Sequence, residues 1–122
     1  MEWDALNTTL PWEGGVGCIE VNRGWVGLIA ELHDDLSTIY PDYEVLQVKE
    51  KFGGLRFYVG MIPEEFDQEF YARIRNAEEE ADRTCEICGT VGDLCRSKSG
   101  WYRTACASCA TKGEMTKCED EE

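Results

Sequence analysis

The chain holds a single histidine, three prolines and no apolar run near the ~20 residues that a membrane-spanning helix needs. That one histidine falls on the polar face of an expected helix, so no Ser-His-Asp set is expected around it, and an HNH nuclease needs histidines that the chain lacks. GxxxxGK[ST] is absent, so no Walker-type loop cradles a nucleotide triphosphate. The sequence opens Met1-Glu2-Trp3-Asp4 with no basic stretch leading into an apolar one, so no signal peptide is expected and the cytoplasm is the expected compartment.

Bases are also scarce. Twelve Lys and Arg stand against 25 Asp and Glu, a net charge of −13 over 122 residues. The deficit is uneven. Residues 1–84 carry 18 acids and 7 bases, residues 85–118 carry 3 acids and 5 bases, and 119–122 are all acidic. A body this acidic repels a phosphate backbone at long range, which disfavours general duplex binding. Seven cysteines are an odd number for a disulfide framework, and two CxxC pairs in a reducing compartment point to metal.

Residues 1–21 read as an irregular lead-in broken by Pro11, Gly14, Gly15 and Gly17, with Trp3 and Trp12 plugging back onto the core. Trp25, Leu28, Ile29, Leu32, Leu36 and Ile39 form one stripe of a helix over 22–40, with Asn22 as N-cap and Pro41 as stop. His33 lies on the polar side of that helix and reads as a solvated side chain. Residues 43–60 predict a β-hairpin in which Leu46 and Val48 alternate with Val45 and Gln47, turning at Gly53-Gly54. A second helix is expected from about Pro63 to Asp82, with Phe66, Phe70, Ile74, Ala77 and Ala81 as its apolar stripe. The expected fold class is α+β: two helices packed on a β-hairpin over 1–84, with room for a further strand at 16–21. A small finger over 85–118 and an acidic tail at 119–122 complete the chain.

Cys85-Glu-Ile-Cys88-Gly89 and Cys106-Ala-Ser-Cys109 are separated by 17 residues, the spacing of a four-cysteine structural site. Two cysteines three apart chelate one ion from a tight turn, and four thiolates close a tetrahedron with no open position for water. Cys85, Cys88, Cys106 and Cys109 are therefore expected to hold a structural zinc ion. Leu94–Arg96 and Trp101–Thr104 read as a hairpin turning at 97–100, followed by a short helix over 107–115. Knuckle, hairpin and helix make a treble clef; knuckles at both pairs would make a zinc ribbon. Cys95 is expected inside the finger, and Cys118 outside the ligand set.

The second constellation surrounds the Gly-Gly turn. Gln47, Lys49, Lys51, Phe52, Gly53, Gly54, Arg56 and Tyr58 place basic and aromatic side chains beside backbone N–H groups in an otherwise acidic body. Such a patch suits a phosphate or a stacked base. Its alternative role is to pair Lys49, Lys51 and Arg56 with carboxylates of the body.

Gly24-Trp25, Gln47–Val59 (QVKEKFGGLRFYV), Cys85–Gly89, Gly100-Trp101 and Cys106–Cys109 resemble a family of small uncharacterised proteins common in bacteriophage genomes and prophages. The resemblance spans residues 22–110. It implies an accessory phage protein acting inside an infected cell; with no catalytic set among its residues, the chain is expected to act without catalysis, blunting a host defence. The leading expectation is a protein that sequesters a nucleotide-type immune signal on residues 47–58. One alternative is an acidic inhibitor that mimics nucleic acid against a basic host protein. The other is nucleic-acid binding through finger residues Arg96, Lys98, Arg103, Lys112 and Lys117.

Overall fold

The computed structural model describes residues 1–118; the expected acidic tail at 119–122 lies outside the described residues. The fold is α+β. A helical and hairpin body occupies the first two thirds, and a small sheet with one short helix follows.

The lead-in is more regular than expected. Trp3–Thr9 forms helix α1, because Leu6 and Leu10, with Trp3, find one apolar face against the core. Trp3 and Trp12 do plug inward, and their indole N–H groups donate to the carbonyls of Val21 and Asn7. Residues 16–21 do not form a strand. Glu20 touches β1 (Val45–Lys51) through a single parallel bridge to Lys49, and Trp12 does the same at Val45.

Helix α2 spans Val26–Ile39 and buries Val26, Ile29, Leu32 and Leu36, following a 3-10 turn over Arg23–Trp25. Asn22 precedes that turn, but its side chain caps nothing there. Instead its backbone and side-chain N–H groups both donate to Glu86, 64 residues away. His33 is half-buried, and its Nδ1 sits 2.6 Å from the hydroxyl of buried Tyr43. The expectation of a solvated histidine is thus corrected. Burial, with Asp34 nearby, pushes the Tyr43 hydroxyl well above its usual range.

β1 pairs antiparallel with β2 (Gly54–Val59). A bulge between Val45 and Gln47 throws Leu46 outward, so Val45 and Val48 face the core. The expected pairing of Leu46 with Val48 on one face fails for that reason: a bulge shifts the two-residue period by one. The turn is also one residue earlier than expected. Lys51 pairs with Gly54, and the two central residues with positive φ are Phe52 (54°) and Gly53 (84°). Gly54 belongs to the strand. Helix α3, Glu64–Ala81, packs beside β2 with Phe70, Ile74 and Ala81 buried, and its Glu78 accepts from the Phe57 N–H.

The finger comprises β3 (Asp93–Ser97), β4 (Tyr102–Ala105), helix α4 (Ala107–Lys112) and β5 (Met115–Lys117), with sheet order β4-β3-β5. The second cysteine pair lies at and within α4, so the order is knuckle, hairpin, helix, as in a treble clef rather than a ribbon. β5 was not expected.

Body and finger meet at two places. The first is the turn before α2. The Gly24 N–H donates to the Glu86 carbonyl at 2.7 Å, and the Trp25 indole donates to the Thr84 carbonyl at 2.8 Å. A Cβ on Gly24 would stand 2.1 Å from the Cys85 carbonyl oxygen and 2.5 Å from the Glu86 carbonyl carbon, so only glycine allows this approach. The second is the body hairpin tip. Gly53 bridges Arg103, its carbonyl accepts from the buried Thr104 hydroxyl at 2.8 Å, and a Cβ there would strike Leu94 at 2.6 Å.

Gly24→Ala should therefore separate body from finger at a cost of about 3 kcal/mol, the upper part of the usual overpacking range. Urea unfolding against the parent protein measures it. A loss under about 0.5 kcal/mol would show that the two backbones are not held at this distance in solution.

Candidate metal centre and basic-aromatic surface

The metal-type cluster is assembled from three local devices. Cys85 and Cys88 lie on a turn closed by the Gly89 N–H donating to the Cys85 carbonyl, with Gly89 at φ 84°. Cys106 is the N-cap of α4, where its sulfur accepts from the Cys109 N–H at 3.4 Å. The Thr90 hydroxyl lies 3.0 Å from the Cys88 sulfur. The four sulfurs of Cys85, Cys88, Cys106 and Cys109 all fall within 4.8 Å of one another, and those of Cys88 and Cys106 are 3.6 Å apart. Four thiolates at ~2.3 Å from one ion place neighbouring sulfurs about 3.8 Å apart, so this donor set fits a tetrahedral metal. The same four residues were expected from the sequence. Cys95 is buried in the finger core, where burial raises its thiol pKa, and the Cys118 N–H donates to the Leu94 carbonyl alongside β5.

Thiol acidities within the cluster are unequal. The bond from the Cys109 N–H holds Cys106 down at about 6, whereas Cys109, bonded to the Cys106 sulfur, is pushed up to about 12.

Behind the cluster lies the group that sequence reading missed. Glu86, between the first two cysteines, is 2 % exposed. Its Oε2 accepts from the Asn22 backbone N–H at 3.0 Å and from Asn22 Nδ2 at 3.1 Å. Its Oε1 has no hydrogen bond and stands 3.5 Å from Arg103 Nε. Its backbone N–H donates to the Thr104 carbonyl. A glutamate in a CxxC turn is ordinarily a surface residue, and nothing in its spacing marks it as buried.

The residues expected to bind ligand divide into three groups. Gln47, Lys49, Arg56 and Tyr58 share the outer face of the body hairpin, with Lys49 opposite Arg56 and Gln47 opposite Tyr58. Lys49 Nζ lies 5.8 Å from the Tyr58 ring centre, and Gln47 donates to Glu20. Arg56 donates to the Leu55 carbonyl and lies close to Glu78, whose carboxyl is raised first by burial and lowered in part by Arg56. Lys51 and Phe52 stand at the tip, with Lys51 Nζ 5.7 Å from the Phe52 ring centre. Gly53 and Gly54 are buried, and the Gly53 N–H is taken by Glu50 Oε2 at 2.7 Å. The expectation of a free N–H at Gly53 is therefore corrected: Gly53 serves the turn and the contact with the finger.

No protein-family profile, curated protein or solved structure matches this chain. Among the described residues no helix is long and apolar enough to cross a membrane.

Two outcomes follow from this centre. Between pH 6 and 12 the metal-free cluster holds the Cys109 proton that a metal must displace while Cys106 is already ionised. Metal uptake at about pH 7.5 should thus release protons, and metal affinity should weaken progressively as pH falls, because protons compete with the metal for all four sulfurs. Proton release in weak buffer and metal content by native mass spectrometry across pH test both; retention unchanged down to pH 4 would contradict them. Separately, Glu86→Ala should cost about 3 kcal/mol, since it strands Arg103 and the Asn22 N–H groups. Thermal melting of the metal-loaded protein measures it, and an unchanged midpoint would mean that the carboxylate holds nothing.

Proposed function

We propose that this is a non-catalytic binding protein that captures a nucleotide-type ligand, with zinc as the structural ion of its finger. Four thiolates and no competing oxygen or histidine donor favour zinc, and a closed four-sulfur set leaves no position for substrate. The observation that carries the ligand reading is the hairpin's outer face. Gln47, Lys49, Arg56 and Tyr58 stand together there, Lys51 and Phe52 continue the surface to the tip, and both lysines lie over aromatic rings. Cations beside exposed rings suit a ligand with phosphates and a flat base. The resemblance to small phage proteins supports placing such capture in host counter-defence, as removal of an immune signal.

Nucleic-acid binding through the finger has weaker support. Of its five bases, Arg103 is engaged with Glu86 and Lys117 with Asp93 at 3.6 Å. The acidic-inhibitor reading has a surface of its own, a 530 Å³ groove between α2 and α3 lined by Glu31, Asp34, Asp35 and Glu80, in which Arg73 pairs with Asp35. A basic host protein would be its partner, and capture would disappear above ~0.5 M salt.

Calorimetry and thermal shift with cyclic dinucleotides and ADP-ribose-type nucleotides test the leading reading. Binding is expected with at least one, and Lys49→Ala and Arg56→Ala should each weaken it roughly ten-fold, as for a lost charged hydrogen bond. A flat response to the whole panel would sink it.

A further inference from the structure

Trp3, Trp12 and Trp25 all send their indole N–H to a backbone carbonyl and turn their rings inward. Trp101 does neither. It is 75 % exposed, and among the described residues its indole nitrogen has no hydrogen-bond partner. Across from it stands Phe52, 70 % exposed, at φ 54°. A β-turn of two positive-φ residues favours Asn or Asp at that position, so a phenylalanine there works against the turn's own preference. Both rings line one groove of 470 Å³ between the tip of the body hairpin and the tip of the finger hairpin, with Glu50, Lys51, Ser99, Gly100 and Tyr102 completing its walls; one Glu50 oxygen is taken by the Gly53 N–H.

One cation, Lys51, lines it, and a second, Arg96, stands beside its Tyr102 and Gly100 wall. Lys51 Nζ is 5.7 Å from the Phe52 ring centre on the body side. On the finger side Arg96 lies 5.9 Å from the Tyr102 ring centre, with one guanidinium nitrogen 3.7 Å from the place of a Cβ on Gly100. A volume of this size matches a small-molecule site. Two exposed rings and two cations in a net-acidic protein match a flat heterocycle that carries negative charge, because every base offers a π-face while the cations meet its phosphates.

We infer that the Phe52–Trp101 groove is the seat of a nucleobase, half of it built by the body and half by the finger. This rests on the nucleotide reading above and supplies what that reading lacks, a place for the base. It also makes the finger part of the binding site, since Trp101 and Phe52 line one groove where Thr104 joins the finger to the Gly53 carbonyl of the body hairpin.

Adenosine, which has a base and no phosphate, is the probe. In 1H–15N spectra of the zinc-loaded protein, the Trp101 indole signal is identified by its loss in Trp101→Ala. Millimolar adenosine should shift that signal and the amides of residues 51–54, leaving the other three indoles in place. Trp101→Ala and Phe52→Asn should each weaken adenosine roughly ten-fold. Asparagine suits a left-handed turn, so Phe52→Asn keeps the hairpin folded. Absence of any shift with adenosine, or shifts that survive both substitutions, would overturn the inference. A comparison with ADP separates it from the reading on which it rests. ADP binding that leaves the Trp101 signal unmoved overturns the groove and spares the nucleotide reading. Adenosine binding at the groove with no gain from ADP supports the groove and counts against a phosphate-directed surface.

Discussion

A buried carboxylate holds this molecule together. Glu86 lies inside the first CxxC turn, yet it faces away from the sulfurs and into the body, where Asn22 meets one oxygen and Arg103 stands beside the other. Burial of a charge is costly unless partners come from fixed positions. Here they come from two: the turn leading into α2 and the second strand of the finger. The carboxylate is therefore satisfied only when body, knuckle and finger hairpin are all in place. Gly24 and Trp25 reinforce the same junction with two further hydrogen bonds, and the missing Cβ of Gly24 lets the backbones meet.

The metal cluster takes on a wider role in that light. A finger of this size buries little apolar surface, its core being Cys85, Cys95, Ala105 and Ala110 with a few partly buried neighbours. A metal held by the four sulfurs would supply the stability that such a core lacks. It would fix the turn that carries Glu86, and Glu86 joins that turn to Asn22 of the body and Arg103 of the finger. Rigidity would then pass from the cysteine cluster, through one carboxylate, to the relative placement of two hairpin tips.

What the sequence made legible, and what it hid, follows from the range of the forces involved. The α2 stripe from Trp25 to Leu36, the α3 stripe from Phe70 to Ala81 and the CxxC pairs are local periodicities, and all three were readable because period and spacing are written along the chain. The outer-face partners Lys49 and Arg56 were placed correctly, since two-residue alternation holds after the bulge. Before it, the bulge at Leu46 inverted the reading, as no residue type there announces an extra residue. The turn was misplaced by one because Gly-Gly is the stronger turn signal, whereas contact with Arg103 drew Gly53 into the second central position and left the first to Phe52. Asn22 looked like an N-cap and became a partner of Glu86. His33 looked solvated and found Tyr43. Asn22 and His33 each found a partner ten or more residues away. Gly24, Trp25, Gly53, Glu86 and Gly89 share this property: they lie at or beside the body–finger junction, so they report on assembly more directly than on a ligand.

The charge distribution then bears on the kind of anion that suits the remaining surface. Lys51 and Arg96 flank the groove, while carboxylates dominate the body beyond it, with Glu31, Asp34, Asp35 and Glu80 gathered between α2 and α3. Screening limits each charge to about 8 Å at physiological salt, so a small ligand in the groove feels mainly Lys51, Arg96 and the Glu50 carboxylate that lines it. A polymer crossing the same groove must also run past the acidic body, and each added phosphate meets repulsion in place of a cation. On the proposed nucleotide reading, the net charge of −13 would act as a length filter, tolerating one or two nucleotides where local bases stand and rejecting a strand. Strong overall acidity and a basic-aromatic groove are, on this account, complementary parts of one selectivity.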